Sequence, residues 1–143
     1  MSRRDAKADL QRATEAAREA RAHAYAPYSR YRVGASVLTR TGRVYAGCNV
    51  ENATFGATLC AERSAIAAMV AAGDRDPVVC VVVTAGPRPG SPCGICRQVL
   101  AEFARDLSIT LIAEDSRRRV VSRRTVRLYK MLPLAFRLET ADR

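Results

Sequence analysis

The chain has 143 residues, a formal net charge of +10, and 48% hydrophobic against 27% charged residues. That length suits one domain, spanning 1–143, with a buried core of its own. No apolar run approaches the roughly 18 residues of a membrane-crossing helix, so no membrane partner is expected. The start, Met1-Ser2-Arg3-Arg4-Asp5, lacks the apolar core of a secretion signal. A cytoplasmic, reducing location is therefore expected, where thiols serve as metal ligands rather than as disulfides.

In chain order, residues from about Arg4 to His23 place Leu10, Ala13, Ala17 and Ala20 on one stripe and read as an amphipathic helix that ends before Pro27. Val33 to Leu38 and Val44 to Asn49 read as two strands, with Thr39 to Arg43 turning between them through Gly42. Ala61 to Ala72 is strongly helical, and Gly73 suits the position just past its end. Val78 to Thr84 is a β-branched run of the kind buried on both faces of a sheet. Gly86 to Pro92 is a stiff, irregular loop. Cys96 to Ala104 predicts another helix, Ile109 to Ala113 a strand, and Arg118 to Leu128 a further strand. Leu132-Pro133-Leu134-Ala135-Phe136 is an apolar turn, followed by a polar tail expected to be disordered over about 137–143. A hairpin followed by strand–helix–strand crossovers implies an α/β fold, a mixed sheet with helices packed on it.

Two segments carry the chemistry: Cys60-Ala61-Glu62, and Pro92-Cys93-Gly94-Ile95-Cys96. The second holds two thiols at a chelating spacing, and the first puts a third thiol beside a carboxylate. Three thiolates leave one position of a tetrahedral zinc open to water, the layout of a catalytic rather than a structural site. Zinc deaminases are a class built on this pattern, with a glutamate that is not a ligand. A Cys-x-x-Cys alone would fit a zinc ribbon or a redox pair, but a ribbon needs a second pair and a redox site needs no Cys-Ala-Glu. Of the remaining cysteines, Cys80 lies in the buried-strand pattern and reads as a small core hydrophobe. Cys48 ends a strand, and its flanks read as packing.

Cys60, Cys93 and Cys96 all fall at the starts of predicted helices, where exposed N–H groups favour the thiolate. Three thiolates on a divalent zinc leave a net negative charge, which opposes ionisation of water. Arg63 and Arg97, each directly after a motif residue, are the candidates to offset it by donating to a sulfur. Glu62 is the candidate catalytic group, a proton shuttle between water, a ring nitrogen and a leaving amine.

With these residues placed, the chain resembles the small homotetrameric zinc-dependent cytidine deaminases. The resemblance runs from Tyr25 to Phe136. It rests on Tyr25-Ala26-Pro27-Tyr28-Ser29-Arg30-Tyr31, on Gly47-Cys48-Asn49-Val50-Glu51-Asn52-Ala53, on the two cysteine segments and on Leu132-Pro133-Leu134-Ala135-Phe136. It implies a three-layer α/β/α fold with a mixed central sheet of about five strands. It implies one zinc per subunit on Cys60, Cys93 and Cys96, and a cytosine nucleoside as the small-molecule partner. Asn49 and Glu51 would hold the ribose 3′-hydroxyl, which agrees with their spacing, since residues two apart on a strand point the same way. The backbone of Ala61 would meet the 2-oxo group and that of Ser91 the leaving amine. Tyr31, where the family usually has Phe, would stack on the base. Phe55, where it often has Tyr, and Phe136 would reach a neighbouring subunit's site. Lys130 stands where a Glu usually precedes the Leu-Pro element.

The implied function is hydrolytic deamination of cytidine and 2′-deoxycytidine by zinc-activated water, a step of pyrimidine salvage. A modified substrate, such as an aminoacyl-nucleoside antibiotic, is a neighbouring reading, against which Asn49 and Glu51 argue for a plain ribose. A different class, a basic nucleic-acid binder, is raised by the charge and by Arg117, Arg118, Arg119, Arg123, Arg124 and Arg127. No aromatic residues alternate with these arginines to stack on bases, so a nucleic-acid partner is not expected. His23, the one histidine, reads as a residue at the end of the first helix.

Overall fold

The computed structural model describes residues 3–138. Its elements are α1 (Arg3–Ala22), β1 (Gly34–Thr39), β2 (Val44–Cys48), α2 (Ala61–Ala71), β3 (Pro77–Ala85), α3 (Gly94–Phe103), β4 (Ser108–Glu114), β5 (Val120–Arg127) and α4 (Leu128–Met131), with a single turn of 3-10 helix over Phe55–Ala57. The five strands form one sheet in the order β2-β1-β3-β4-β5. Only β3 and β4 pair in parallel, while β1 pairs antiparallel with both β2 and β3, and β4 with β5. The sheet is mixed, as expected.

The alternation along β3 sets the layers. Cys80 and Val82 face one side and pack with Ala65, Ile66 and Met69 of α2 and Leu100 of α3. Val81 and Val83 face the other and pack with Ala13 and Ala17 of α1. A strand covered on both faces must be apolar at every position, which is why its sequence shows no polar alternation. Each fully buried Met or Leu of this core is worth about 1.5–3 kcal/mol relative to exposure. Cys80 is fully buried, and burial pushes its thiol well above the ordinary range, so it is an inert core residue, as read from the sequence.

The topology brings the cysteine segments together. Since β2 and β3 both run antiparallel to β1, they run parallel to each other, and Cys48 and Val83 both lie opposite Gly34. Helices α2 and α3 follow the ends of β2 and β3, so both begin at the same edge of the sheet. At Gly47 a Cβ would lie 2.5 Å from the Ala65 backbone nitrogen, so only glycine lets α2 approach β2 this closely.

Several boundaries differ from the sequence expectation. Helix α3 begins at Gly94 rather than Cys96, because Cys93 takes the cap position. Strand β5 begins at Val120, because the Asp115 carboxylate accepts the N–H groups of Arg117 and Arg119 at 2.8 and 3.0 Å and closes a turn there. The short helix α4 and the 3-10 turn, of four and three residues, are too short to leave a periodic signal in the sequence. After α4, the chain is held on α3: Gln98 donates to the Phe136 carbonyl at 3.0 Å and Arg137 donates to that of Ala101 at 2.9 Å. The remainder of the tail expected to be disordered, 139–143, lies outside the described residues.

Candidate active site

Cys60 is the N-cap of α2 and Cys93 the N-cap of α3, both in extended backbone conformation, and neither side chain caps its own helix. Their sulfurs stay free to face one another. Cys96 follows one turn into α3 and is buried. The three sulfurs lie within 4.8 Å of one another, and those of Cys60 and Cys93 are 3.8 Å apart. A tetrahedral zinc with bonds of about 2.3 Å to sulfur sets its ligands about 3.8 Å apart. The donors and their spacing therefore fit one zinc.

The charges around the sulfurs are ordered. Arg63 donates to the Thr58 carbonyl at 3.1 Å and to Cys60 Sγ at 3.5 Å. The Cys60 thiol is held down at about 5, first by a hydrogen bond from Cys96 and further by Arg63 and Cys93. Cys96, the donor in that pair and buried, is pushed up in turn. Glu62 stands in the first turn of α2, is 5% exposed, and its Oε2 lies 3.7 Å from Cys96 Sγ. Burial pushes its carboxyl up from the ordinary range.

Two members of the cluster, Cys60 and Cys93, line a cavity of about 250 Å³, and Cys96 is buried behind them. Tyr31, Asn49, Glu51, Ala61 and Ser91 also line it, together with Cys60, Glu62 and Cys93. Asn49 is 8% exposed. Its Oδ1 accepts the N–H of Val33 at 2.9 Å and its Nδ2 donates to the Tyr31 carbonyl at 2.7 Å, so the amide fixes the backbone on both sides of Arg32, directly after Tyr31. Glu51 Oε1 accepts the N–H groups of Tyr28 and Ser29 at 2.9 and 3.0 Å, and Oε2 accepts the Ser29 hydroxyl at 2.5 Å. The Ser29 hydroxyl is the main reason that the Glu51 carboxyl lies below its usual range. Each of these two cavity-lining side chains keeps unused capacity, one N–H on Asn49 and one lone pair on Glu51 Oε2.

A family model described as the cytidine and deoxycytidylate deaminase zinc-binding region matches residues 7–111. The chain belongs to this family. It is 49% identical to a cytidine deaminase of Halalkalibacterium halodurans over 95 residues, 66% of this chain and 72% of that protein. It is 42% identical to a cytidine deaminase of Mycobacterium tuberculosis over 127 residues, 89% of each. The crystal structure of cytidine deaminase from Burkholderia pseudomallei superposes with a TM-score of 0.80 at 40% identity, covering 88% of this chain and 98% of that one. A blasticidin-S deaminase of Bacillus cereus is more distant, at 32% identity over 58% of this chain.

Within this family member, Arg97 does not point at a sulfur. Its guanidinium donates to the Pro92 carbonyl at 2.8 Å, the Met131 carbonyl at 2.9 Å and the Ser91 hydroxyl at 3.1 Å. It ties the loop before Cys93 to the end of α4. Phe55 and Phe136 are 74% and 69% exposed and line no part of the cavity of their own chain. Phe55 meets Tyr28 edge-on, with ring centroids 5.8 Å apart. His23 lies exposed just past α1.

Three residues of the site were not read from the sequence. Ser29 anchors Glu51, as above. Thr84, buried at the end of β3, accepts the N–H of Gly90 at 3.0 Å. Gly90 lies against Tyr31, where a Cβ would be 2.4 Å from its hydroxyl oxygen. Only the glycine itself carried a signal, as one of two in the loop from Gly86 to Pro92; a hydroxyl that holds a loop has none.

Proposed function

We propose that this protein hydrolyses cytidine and 2′-deoxycytidine to uridine and 2′-deoxyuridine with release of ammonia. The observation that carries the reading is a buried carboxyl, Glu62, 3.7 Å from a sulfur of a three-thiol cluster, two of whose cysteines line the same cavity as Asn49 and Glu51. Zinc on Cys60, Cys93 and Cys96 would supply a water whose pKa is brought toward neutrality.

The chain's own groups do the rest. Glu62 takes a proton from the water that adds to C4 and passes it to ring N3. It then delivers the water's second proton to the departing amine, and the C4–N bond breaks. The Ala61 N–H receives the 2-oxo group, and the Ser91 carbonyl accepts from the amine. Tyr31 stacks on the ring, and the free N–H of Asn49 and lone pair of Glu51 bind the sugar 3′-hydroxyl. Arg63 offsets the negative charge of the thiolates, while Arg97 positions the Ser91–Pro92 segment through its three hydrogen bonds.

Phe55 and Phe136 complete the cavity of a neighbouring subunit in a homotetramer, in keeping with two large aromatics left outward. Among the described residues no helix is long and apolar enough to cross a membrane. We place the enzyme in the cytoplasm, in pyrimidine salvage.

Ultraviolet absorbance of the protein mixed with cytidine, with zinc assayed on the same sample, tests the reading. Loss of the cytosine band with about one zinc per chain is expected. Zinc bound without turnover would overturn the substrate assignment.

A further inference from the structure

Much of the acidic surface is already paired. Asp9 is engaged by Arg12, Asp76 by Arg40, Asp115 by Arg119 and Asp106 by Arg127. The excess of cations is left elsewhere, and part of it converges on a second cleft of about 690 Å³ between β5, α4 and the loop before α3. Arg88, Arg97, Arg123, Arg124 and Lys130 line this cleft, and no carboxylate does. Among the described residues Arg88, Arg123 and Arg124 form no salt bridge, and Lys130 stands 6.0 Å over the Tyr129 ring.

Like charges crowded into a concavity repel one another and focus a positive potential, which favours an anion. Guanidinium forks match the oxygens of phosphate. Leu111, Val126 and Met131 give the same cleft an apolar lining, which suits a flat ring as well as phosphates. Ser91 lines both this cleft and the active-site cavity. Arg97, on the cleft wall, donates to the Ser91 hydroxyl and the Pro92 carbonyl, next to Cys93.

We propose that the basic cleft beside β5 is a nucleoside polyphosphate site, separate from the catalytic cavity, that acts on it through the Ser91–Pro92 segment. The ligand's phosphates bridge Arg88, Arg124 and Lys130, and its ring lies on Val126 and Met131. Pulling Arg97 toward an anion changes its hold on the loop that walls the cavity.

The test is calorimetric titration of the zinc-loaded protein with magnesium-free ATP at low ionic strength. ATP carries no cytosine, so it does not enter the cavity as a substrate would. About one ATP per chain is expected, bound more tightly than inorganic tripolyphosphate and more weakly as salt is added. The double variant R124A/K130A changes two exposed side chains of the cleft, both outside the catalytic site. It should bind ATP at least about tenfold more weakly, since hydrogen bonds to charged groups are being removed. Its turnover of cytidine without ATP should equal that of the parent. Saturating ATP should shift KM for cytidine in the parent and leave the variant unmoved.

No binding by the parent, or equal binding by the variant, overturns the site. Equal affinity for tripolyphosphate overturns the nucleoside assignment, and an unmoved KM overturns the coupling. Tighter, ATP-competing binding of a single-stranded oligonucleotide overturns the small-molecule assignment in favour of nucleic acid. The calorimetric result needs no turnover, so it fails or stands apart from the deaminase reading.

Discussion

Gly90→Ala tests how the cavity is walled. The new Cβ would stand 2.4 Å from the Tyr31 hydroxyl oxygen and 2.9 Å from Thr84 Cγ2, both well inside contact distance. Thr84 cannot turn away, because its buried hydroxyl holds the Gly90 N–H at 3.0 Å. Tyr31, half exposed, is the group that yields, and it moves across the cavity mouth. Forcing an extra methyl into a packed site costs about 1–3 kcal/mol. At ~2 kcal/mol, a chain of 143 residues loses roughly 4–8 °C in Tm. Tyr31→Phe removes the clashing oxygen, and the double variant should recover about 1 kcal/mol as a coupling between contacting residues. The assay is Tm and KM for cytidine in the parent, both single variants and the double. Gly90→Ala should lower Tm and raise KM, and Tyr31→Phe should partly restore both. Strict additivity of the two changes would refute the contact between Tyr31 and Gly90.

Other outcomes follow from the same geometry. Glu62→Gln should keep its zinc and lose about three decades of kcat, near the middle of what positioned acid–base groups supply; turnover close to the parent's would remove Glu62 from the proton path. Chelation should abolish turnover and lower Tm together, since metal binds only the folded site, and zinc should restore both; a Tm indifferent to chelator would argue against metal at the three thiols. The Glu51 carboxyl is held below its ordinary value, so its contribution to stability is complete above about pH 4.3 and fades as pH falls through the lowered folded value. The Tm gap between the parent and Glu51→Gln should therefore narrow on acidification, and a gap constant between pH 7 and pH 3 would contradict this. Phe136→Ala should lower turnover although Phe136 lies outside its own chain's cavity, and a fully active monomer by light scattering would contradict the shared sites.

The metal centre was legible in the sequence because its chemistry is compressed into two short segments. Cysteines one turn apart on a helix must share a face, and Cys-Ala-Glu puts a carboxylate beside a ligand whatever the surroundings. The fold class was legible for a related reason: the β-branched run from Val78 to Thr84 has no polar alternation, which requires cover on both faces. What the sequence hid depends on contacts between distant residues. Arg97 sits beside a metal ligand, yet its fork is drawn to carbonyls of Pro92 and Met131, and the latter is reached only once α4 exists. Helix α4, with four residues, is too short to show a periodicity. Asn49 reads as a sugar ligand from its place beside Glu51, but its first duty in the structure is to clamp the backbone from the Tyr31 carbonyl to the Val33 N–H.

The charge that matters for the chemistry is local, not the +10 of the whole chain. Three thiolates and a divalent ion leave one negative charge. Each helix N-terminus contributes roughly half a positive charge, and the crossovers from β2 and β3 deliver two of them to the same edge of the sheet. Their sum is about one charge, close to the excess to be balanced. Arg63 adds a full cation whose Nη2 sits between the Thr58 carbonyl and Cys60 Sγ, while its Nε is buried with no partner. An unsatisfied buried N–H costs about 1–3 kcal/mol. The Thr58 carbonyl holds one end of this cation, and the negative charge of the sulfurs beside it offsets the cost of the unpaired Nε. The mixed sheet is thus more than a scaffold: a topology that started α2 and α3 at opposite edges would leave the same three cysteines without the field that favours their thiolates.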